Sequence, residues 1–257
     1  KLRGQLSQGL LLPLSTVYCL SPTTEVDILG DDVSEPLGII KWEMPMNAQL
    51  AGMAKGNFPS VIPKTDQERA QNLVQEIVGA IEAGMQFEIT EKLEGSSMTC
   101  YLIDGEFGVC SRNLDLKETE ENTFWQGARH DKIEENLRSL DMDNVAIQGE
   151  LIGSKIQNNP YQINGYDYYV FDIYDIDTKS YLKPLERVKL VQHLGLKHVP
   201  YNIEYVEFKD INTLLKKAEF KSNLNKKTEA EGHVYKHLCT SKSFKVISNK
   251  FLLREKD

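Results

Sequence analysis

Hydrophobic positions recur at helical spacing at few places along this chain. Ala70, Leu73, Val74, Ile77, Val78 and Ile81 fall on one helical face, with Thr65 and Glu68 placed as a capping box at its start and Gly84 as its stop. Strand-like runs follow. Phe87 to Leu93 leads to Gly95, and Ser97–Ile103 and Glu106–Ser111 flank Asp104-Gly105, a strong two-residue hairpin signal. Asn122 to Leu140 reads as one polar helical stretch. Val145–Ile152 and Tyr166–Tyr174 read as strands, 184–193 and 210–220 as helices, the first with Pro184 in its opening turn. Glu231–Leu238 and Ser243–Ser248 close the series as strands. Strands outnumber helices and several are sequential hairpins, so the fold class is α+β with antiparallel sheets.

Pro13, Pro22, Pro36, Pro45 and Pro59 break up the first 60 residues, which read as a loop-rich opening segment of the same domain, with residues 61–257 as its body. Leu10–Leu14, interrupted by Pro13, is far too short for a membrane span or a signal peptide. The first residue is Lys1, so the chain reads as a fragment or a processed product. Four cysteines (Cys19, Cys100, Cys110, Cys239) without a CxxC pair argue against a zinc ribbon and a disulfide-stapled secreted domain; a reducing intracellular compartment, cytoplasmic or nuclear, is the simpler reading. The formal charge of −8 alone discourages a nucleic-acid partner. It is unevenly spread, however: residues 214–257 hold 11 Lys and Arg against 5 Asp and Glu, so this basic end could hold phosphates locally.

The chemistry-bearing residues lie in the strands. Lys92 precedes a glycine turn in Glu91-Lys92-Leu93-Glu94-Gly95, a place for a covalent nucleophile with close backbone approach for a phosphate. Alone this is weak, since the composition supplies about 1.5 KxxG matches by chance. Others line up after it. Arg112 follows the hairpin as a fork-shaped donor for a ribose or phosphate oxygens. Glu150 sits inside an apolar strand, Phe171-Asp172 in an aromatic one, Glu231-Gly232 opens the penultimate strand and Lys245 lies in the last. His233, His237 and Cys239 share a strand face by period two, but no fourth ligand is evident and a zinc site is not indicated.

This ordered set resembles the signature of the covalent nucleotidyltransferases, which comprise ATP- and NAD-dependent ligases and mRNA capping enzymes. Lys92 to Gly95 resembles motif I, Gly149-Glu150 motif III, Phe171-Asp172 motif IIIa, Glu231-Gly232 motif IV and Lys245 motif V. Four flanking stretches narrow the resemblance to RNA ligases of the Deinococcus/Naegleria type: Arg3-Gly4-Gln5-Leu6-Ser7-Gln8-Gly9, Gly30-Asp31-Asp32-Val33, Pro36-Leu37-Gly38-Ile39-Ile40-Lys41-Trp42-Glu43, and Phe58-Pro59-Ser60-Val61-Ile62-Pro63-Lys64-Thr65-Asp66. The resemblance covers essentially the whole chain. It implies an antiparallel-sheet, ATP-grasp-like ligase domain with flanking helices, preceded in the full-length protein by an N-terminal OB-like module that is absent from this sequence.

By the same resemblance, Lys92 attacks the α-phosphate of ATP to give lysyl-AMP and pyrophosphate. AMP then passes to an RNA 5′-phosphate, and a 3′-OH displaces it to seal the strand. Phe171 is the implied adenine platform. Glu150 and Glu231 are the carboxylates near Lys92, the ribose and a hydrated Mg2+ or Mn2+, and Lys245 contacts the α-phosphate. Glu91 helps place adenine or ribose. Lys64 and Arg69 are candidates for the departing pyrophosphate, and Asp172 is open between a site role and holding a turn. Two departures stand out. Glu94 replaces the Asp frequent in motif I, and Ile247 replaces a second motif V lysine, for which Lys250 is a substitute. The implied partner is RNA with 5′-phosphate and 3′-OH ends in a nicked duplex, bound by a monomer, with no membrane. A DNA ligase or capping guanylyltransferase domain is disfavoured because both normally continue past motif V into an OB domain. A non-catalytic nick-binding module is disfavoured because it has no chemical need for Lys92, Glu150, Glu231 and Lys245 together.

Overall fold

A computed structural model describes residues 52–206, 210–238, 240 and 242–254, besides Ser15. Most of the opening segment (1–60), three of the four flanking stretches and Cys239 therefore lie outside the described residues. The fourth stretch, Phe58–Asp66, lies within them. Residues 49–257 form one unit.

Thirteen strands and six α-helices, numbered along the chain, build two sheets among the described residues. The larger sheet runs β1 (Ala54–Asn57), β6 (Leu114–Leu116), β5 (Glu106–Cys110), β4 (Ser96–Ile103), β7 (Val145–Gly153), β8 (Tyr166–Asp175), β10 (Lys197–His198), with β9 (Ser180–Tyr181) also paired to β8. The smaller runs β11 (Tyr201–Tyr205), β3 (Gln86–Lys92), β12 (Gly232–His237), β13 (Ser243–Ile247), β2 (Glu68–Arg69). Both are antiparallel apart from the short pairs β10–β8 and β13–β2. The α+β antiparallel expectation holds.

Each sheet buries one face under helices. Met98, Cys100 and Leu102 of β4, Val145, Ile147 and Leu151 of β7, and Tyr168, Val170 and Ile173 of β8 pack against α2 (Thr123–His130), α3 (Ile133–Arg138) and α4 (Pro184–His193). Phe87, Ile89, Tyr235, Phe244 and Val246 of the small sheet pack on α1 (Val74–Glu82) and α5 (Ile211–Lys217). Period two then turns Ser97, Thr99, Gln148 and Glu150 of the large sheet, and Glu88, Thr90, Lys92, Val234, Lys236 and Lys245 of the small one, to the opposite faces.

A bulge adjusts this alternation at β8. Gln148 pairs with Asp172 and Gly149 with Val170, so Phe171 is the extra residue. Before the bulge Tyr168 and Val170 face the helices; after it Ile173 does. Phe171 and Asp172, consecutive in sequence, therefore share the face away from the helices, a placement that strict alternation forbids.

The hairpin expected at Asp104-Gly105 is present, both residues having positive φ (50° and 79°) as a type I′ turn needs. Gly84 (φ 68°) follows the helix ending at Glu82, and the helix 184–193 has the expected bounds. Three expectations are corrected. Thr65 and Glu68 do not cap the helix, which starts only at Val74, because Glu68 and Arg69 are drawn into β2 beside β13. Thr65 Oγ1 instead meets Ser97 Oγ at 2.9 Å, and Glu68 accepts from Asn72. The polar stretch 122–140 is two helices, interrupted at Lys132 (φ 51°), whose left-handed backbone ends helical propagation. The helix expected over 210–220 is shorter, Ile211–Lys217, capped by Asp210 accepting from the Thr213 N–H at 2.9 Å. α6 (Asn249–Arg254) was not foreseen.

Candidate active site

Lys92 ends β3 in the small sheet, and four residues later Ser96 begins β4 in the large one. The link crosses between sheets and lies so close to β7 that only glycine fits at its end. A Cβ on Gly95 would stand 2.5 Å from the Leu151 carbonyl oxygen and 2.8 Å from Glu150 Cγ. The glycine of the KxxG motif thus brings the Lys92 turn against the Glu150 strand. Gly232, with φ 148° and a Cβ position 2.0 Å from the Val246 carbonyl oxygen, does the same for Glu231 at the head of β12.

Lys92 Nζ lies 2.8 Å from Glu231 Oε1, the length of a charge-assisted hydrogen bond, with both side chains only partly exposed (26% and 16%). Burial pushes the Glu150 carboxyl up to about 7, against the attraction of Lys92 and with the Glu231 charge adding to the rise. Burial likewise raises Glu231, opposed by Lys92. Lys245 completes the group from β13: burial holds its ammonium below the ordinary lysine value, and Lys92, Arg112 and Arg69 lower it further while Asp66 opposes. An ammonium depressed by cationic neighbours favours an anion beside it.

Arg69 is Lys245's partner in the β2–β13 pairing. Arg112 reaches Asp66 at 2.5 Å, and Lys64 donates to Asn113 Oδ1 at 3.1 Å, so Phe58–Asp66 runs along this edge, tied down also by Gln148 Nε2 donating to the Pro63 carbonyl at 2.8 Å. Lys64, Arg69 and Arg112 are exposed. Of the candidate residues, then, Lys92, Glu150, Glu231, Lys245, Arg69 and Arg112 gather at one end of the two sheets, with Lys64 on the rim. Lys250 stands apart on α6 and pairs with Glu219 at 3.5 Å.

Glu91 is buried, and the alternation of β3 turns its side chain from Lys92. Its Oε2 accepts from the backbone N–H and the side-chain amide of Asn223, both at 2.9 Å, whereas its buried Oε1 has no hydrogen-bond partner among the described residues. Phe171 is half-buried against Leu93, Ile152, Tyr161 and Val199. Asp172 does not hold a turn. It belongs to a buried ion cluster with Arg187, Glu88 and Lys236: Arg187 pairs with Glu88 and reaches Asp172 at 3.3 Å, and Lys236 Nζ reaches Asp172 Oδ2 at 2.7 Å and the Phe171 carbonyl at 2.8 Å. Nothing in the sequence marked Arg187, Lys236, Tyr161 or Asn223, which lie in ordinary helical, strand and loop text.

The sequence pattern of one family, the RNA ligases, matches residues 85–247, more than half of the chain. The chain belongs to the RNA ligase family. Among solved structures, the ligase is similar to Naegleria gruberi RNA ligase: a variant of that enzyme with ATP and Mn (46% identity, TM-score 0.76, 100% of this chain and 76% of the other) and the enzyme with PPi (46%, TM-score 0.75, 100% and 75%). A further variant with AMP and Mn is equally similar (46%, TM-score 0.76). No curated protein matches. No helix among the described residues is long and apolar enough to cross a membrane.

Proposed function

We propose that this ligase is ATP-dependent, that Lys92 is its nucleophile and that the reaction passes through lysyl-AMP. The observation that carries this reading is the Lys92–Glu231 pair at 2.8 Å, set among Glu150, Lys245, Arg69 and Arg112 at the junction of the sheets. A lysine is protonated at neutral pH and must lose that proton to attack; Glu231, with its raised pKa, is an acceptor within reach. The Nζ–Pα bond forms as the bond from Pα to the bridging oxygen breaks, and pyrophosphate leaves with that electron pair. Lys245 offsets charge building on the α-phosphate, and Arg69, Arg112 and Lys64 receive the departing pyrophosphate. AMP then passes to an RNA 5′-phosphate, and a 3′-OH displaces it.

The residues suit a divalent cation of the hard, oxygen-seeking kind. Glu150 and Glu231 are both held above their ordinary values, and no group of three His, Cys, Asp or Glu converges among the described residues, so water and phosphate would supply the other ligands, as Mg2+ and Mn2+ prefer. Held through water by these two carboxylates, the ion would favour the neutral amine and offset phosphate charge.

Adenine is favoured over guanine by Glu91. An unpaired buried acceptor takes a hydrogen bond from the adenine amino group and repels the carbonyl that guanine presents in its place. Phe171 is the stacking platform. A nicked RNA duplex as substrate, a monomeric enzyme and an intracellular location complete the reading, the last supported by Cys100 and Cys110, both free and buried.

Intact-protein mass after incubation with ATP and magnesium, with GTP in parallel, tests it. A gain of one AMP from ATP alone is expected. Labelling by GTP would point to a capping enzyme, and no label on a folded protein not already adenylylated would overturn the reading.

A further inference from the structure

Two surface loops grip the chain on either side of Lys92. The first joins β7 to β8 and runs from Ser154 to Gly165. Five of its non-glycine residues, Lys155, Gln157, Asn158, Asn159 and Gln162, have φ between 43° and 66°. A left-handed backbone is unfavourable for L side chains and persists over so many positions only where the surroundings impose it. The second loop, between α5 and β12, closes on itself where the Ser222 N–H donates to the Thr228 carbonyl at 2.9 Å and the Thr228 N–H to that of Asn225, also at 2.9 Å.

Each loop holds one flank of the nucleophile. Asn223 fastens Glu91 with two donors at 2.9 Å, and its Oδ1 accepts from Lys226 Nζ at 2.9 Å, so both ends of its amide are used. The Tyr161 hydroxyl accepts from the Glu94 backbone N–H at 2.7 Å. Leu93, between them, is 3% exposed and buried in a cluster that contains Tyr161 from one loop and Leu224 from the other. The residues before and after Lys92 are thus anchored while the lysine side chain points into the site.

The two loops also act on one another. The Pro160 carbonyl, adjacent to Tyr161, accepts from Asn225 Nδ2 at 3.0 Å and from Thr228 Oγ1 at 2.8 Å. Through these bonds the anchors of Glu91 and Glu94 are one device rather than two.

We infer that Tyr161 and Asn223, joined through Pro160, Asn225 and Thr228, are positioning residues that form a clasp fixing Lys92 for attack. The inference rests on Lys92 being the nucleophile. The Tyr161 arm touches the backbone beside Lys92, so its loss slows bond formation and leaves nucleotide binding nearly intact; the Asn223 arm also holds Glu91, so its loss loosens the base-reading carboxylate as well. A nucleophile displaced by even 1 Å can lose about 100-fold in rate.

The test measures the single-turnover rate of AMP labelling, the KM for ATP and the melting temperature in Tyr161→Phe, Asn223→Ala, their double variant and Thr228→Val. Tyr161→Phe keeps the ring in its cluster and removes only the acceptor. A clasp gives Tyr161→Phe and Asn223→Ala a labelling rate about 10-fold or more below wild type, and a double variant little slower than the slower single. Tyr161→Phe keeps KM within roughly threefold and the melting temperature within about 3 °C, whereas Asn223→Ala, which strips buried Glu91 of both its hydrogen bonds, also melts several degrees lower. Thr228→Val, which leaves every anchor in place and cuts only the link, falls in the same direction by less. Unchanged rates in Tyr161→Phe and Thr228→Val overturn the clasp. A rise in KM together with a fall in melting temperature in Tyr161→Phe also overturns it, because the loops would then be supporting structure or binding nucleotide. Wild-type protein that takes no label sinks the nucleophile assignment and the clasp with it, whereas labelled wild type with equally labelled variants sinks the clasp alone.

Discussion

Lys92 and Lys236 lie on the same face of neighbouring strands, and each has a carboxylate within 2.8 Å, yet they have opposite fates. Lys236 is held in a sealed cluster with Asp172, Glu88 and Arg187, whose side chains are 0–14% exposed; one of its protons goes to a carboxylate and another to the Phe171 carbonyl. Lys92 is more open, and the charges around it include two carboxylates pushed above their ordinary pKa and a second lysine pushed below. Both clusters carry lysine and arginine against two acids. What separates the structural lysine from the proposed nucleophile is access, not the identity of the pair.

The largest effect should come from Lys92→Met, which removes the amine proposed to attack. AMP labelling is expected to fall by about 1,000-fold or more, with a melting temperature within about 3 °C of wild type because a partly exposed pair contributes little to stability. A variant that still became labelled would erase the distinction between the two clusters. Arg187→Met should show the reverse profile. It leaves Glu88, fully buried, without its guanidinium partner, so roughly 3–5 kcal/mol of stability and about 10 °C in melting temperature should be lost. Thermal melts check this, and an unchanged melt would show that the sealed cluster is not structural.

Glu150→Gln sharpens the contrast through pH. The native state raises the Glu150 pKa from 4.5 to about 7, so it binds this proton more tightly than the unfolded chain does. That contribution to stability is complete below about pH 4.5 and is lost as pH rises through 7. Glutamine keeps the neutral form throughout. The variant should therefore match wild type near pH 4.5 and exceed it by roughly 1–3 kcal/mol at pH 8, read from denaturant midpoints across pH. A constant difference at both values would mean that Glu150 does not titrate with burial as described. The smallest effect is expected from Glu91→Gln. Its carbonyl oxygen stays with Asn223 and its amide turns a donor toward the base, so the ratio of ATP to GTP labelling should drop by about 5- to 10-fold. An unchanged ratio would take base discrimination away from Glu91.

The cluster around Lys92 was far more legible in the sequence than the sealed one. Lys92, Gly95, Glu150, Phe171, Glu231 and Lys245 sit in strands whose alternation and turn residues are plain, and their order carried the family resemblance. Arg187 gave no signal, since its acidic partners are 15 and 99 residues away and only sheet packing brings them together. The short strands β1, β2, β6, β9, β10 and β11 were illegible for a related reason. With two to five residues each, they exist because a distant neighbour supplies the ladder, and local pattern has no access to that. The bulge at Phe171 hid Asp172 as well: alternation assigns consecutive residues to opposite faces, and one extra residue cancels that rule.

The link Leu93-Glu94-Gly95 has a mechanical consequence. With Val199-Pro200, between β10 and β11, it is one of two short covalent joints between the sheets, so a swing of one sheet against the other would turn about these joints, and Lys92 and Glu150 lie beside the first. When two plates swing about a joint, the separation of facing points grows with their distance from the axis. Glu88 stands four residues up the strand from Lys92, about 13 Å along it. There Arg187 joins Glu88 of one sheet to Asp172 of the other, a latch at the end where opening would be widest. Lys92, the proposed nucleophile, occupies the place where such a swing would displace it least from the carboxylate it faces.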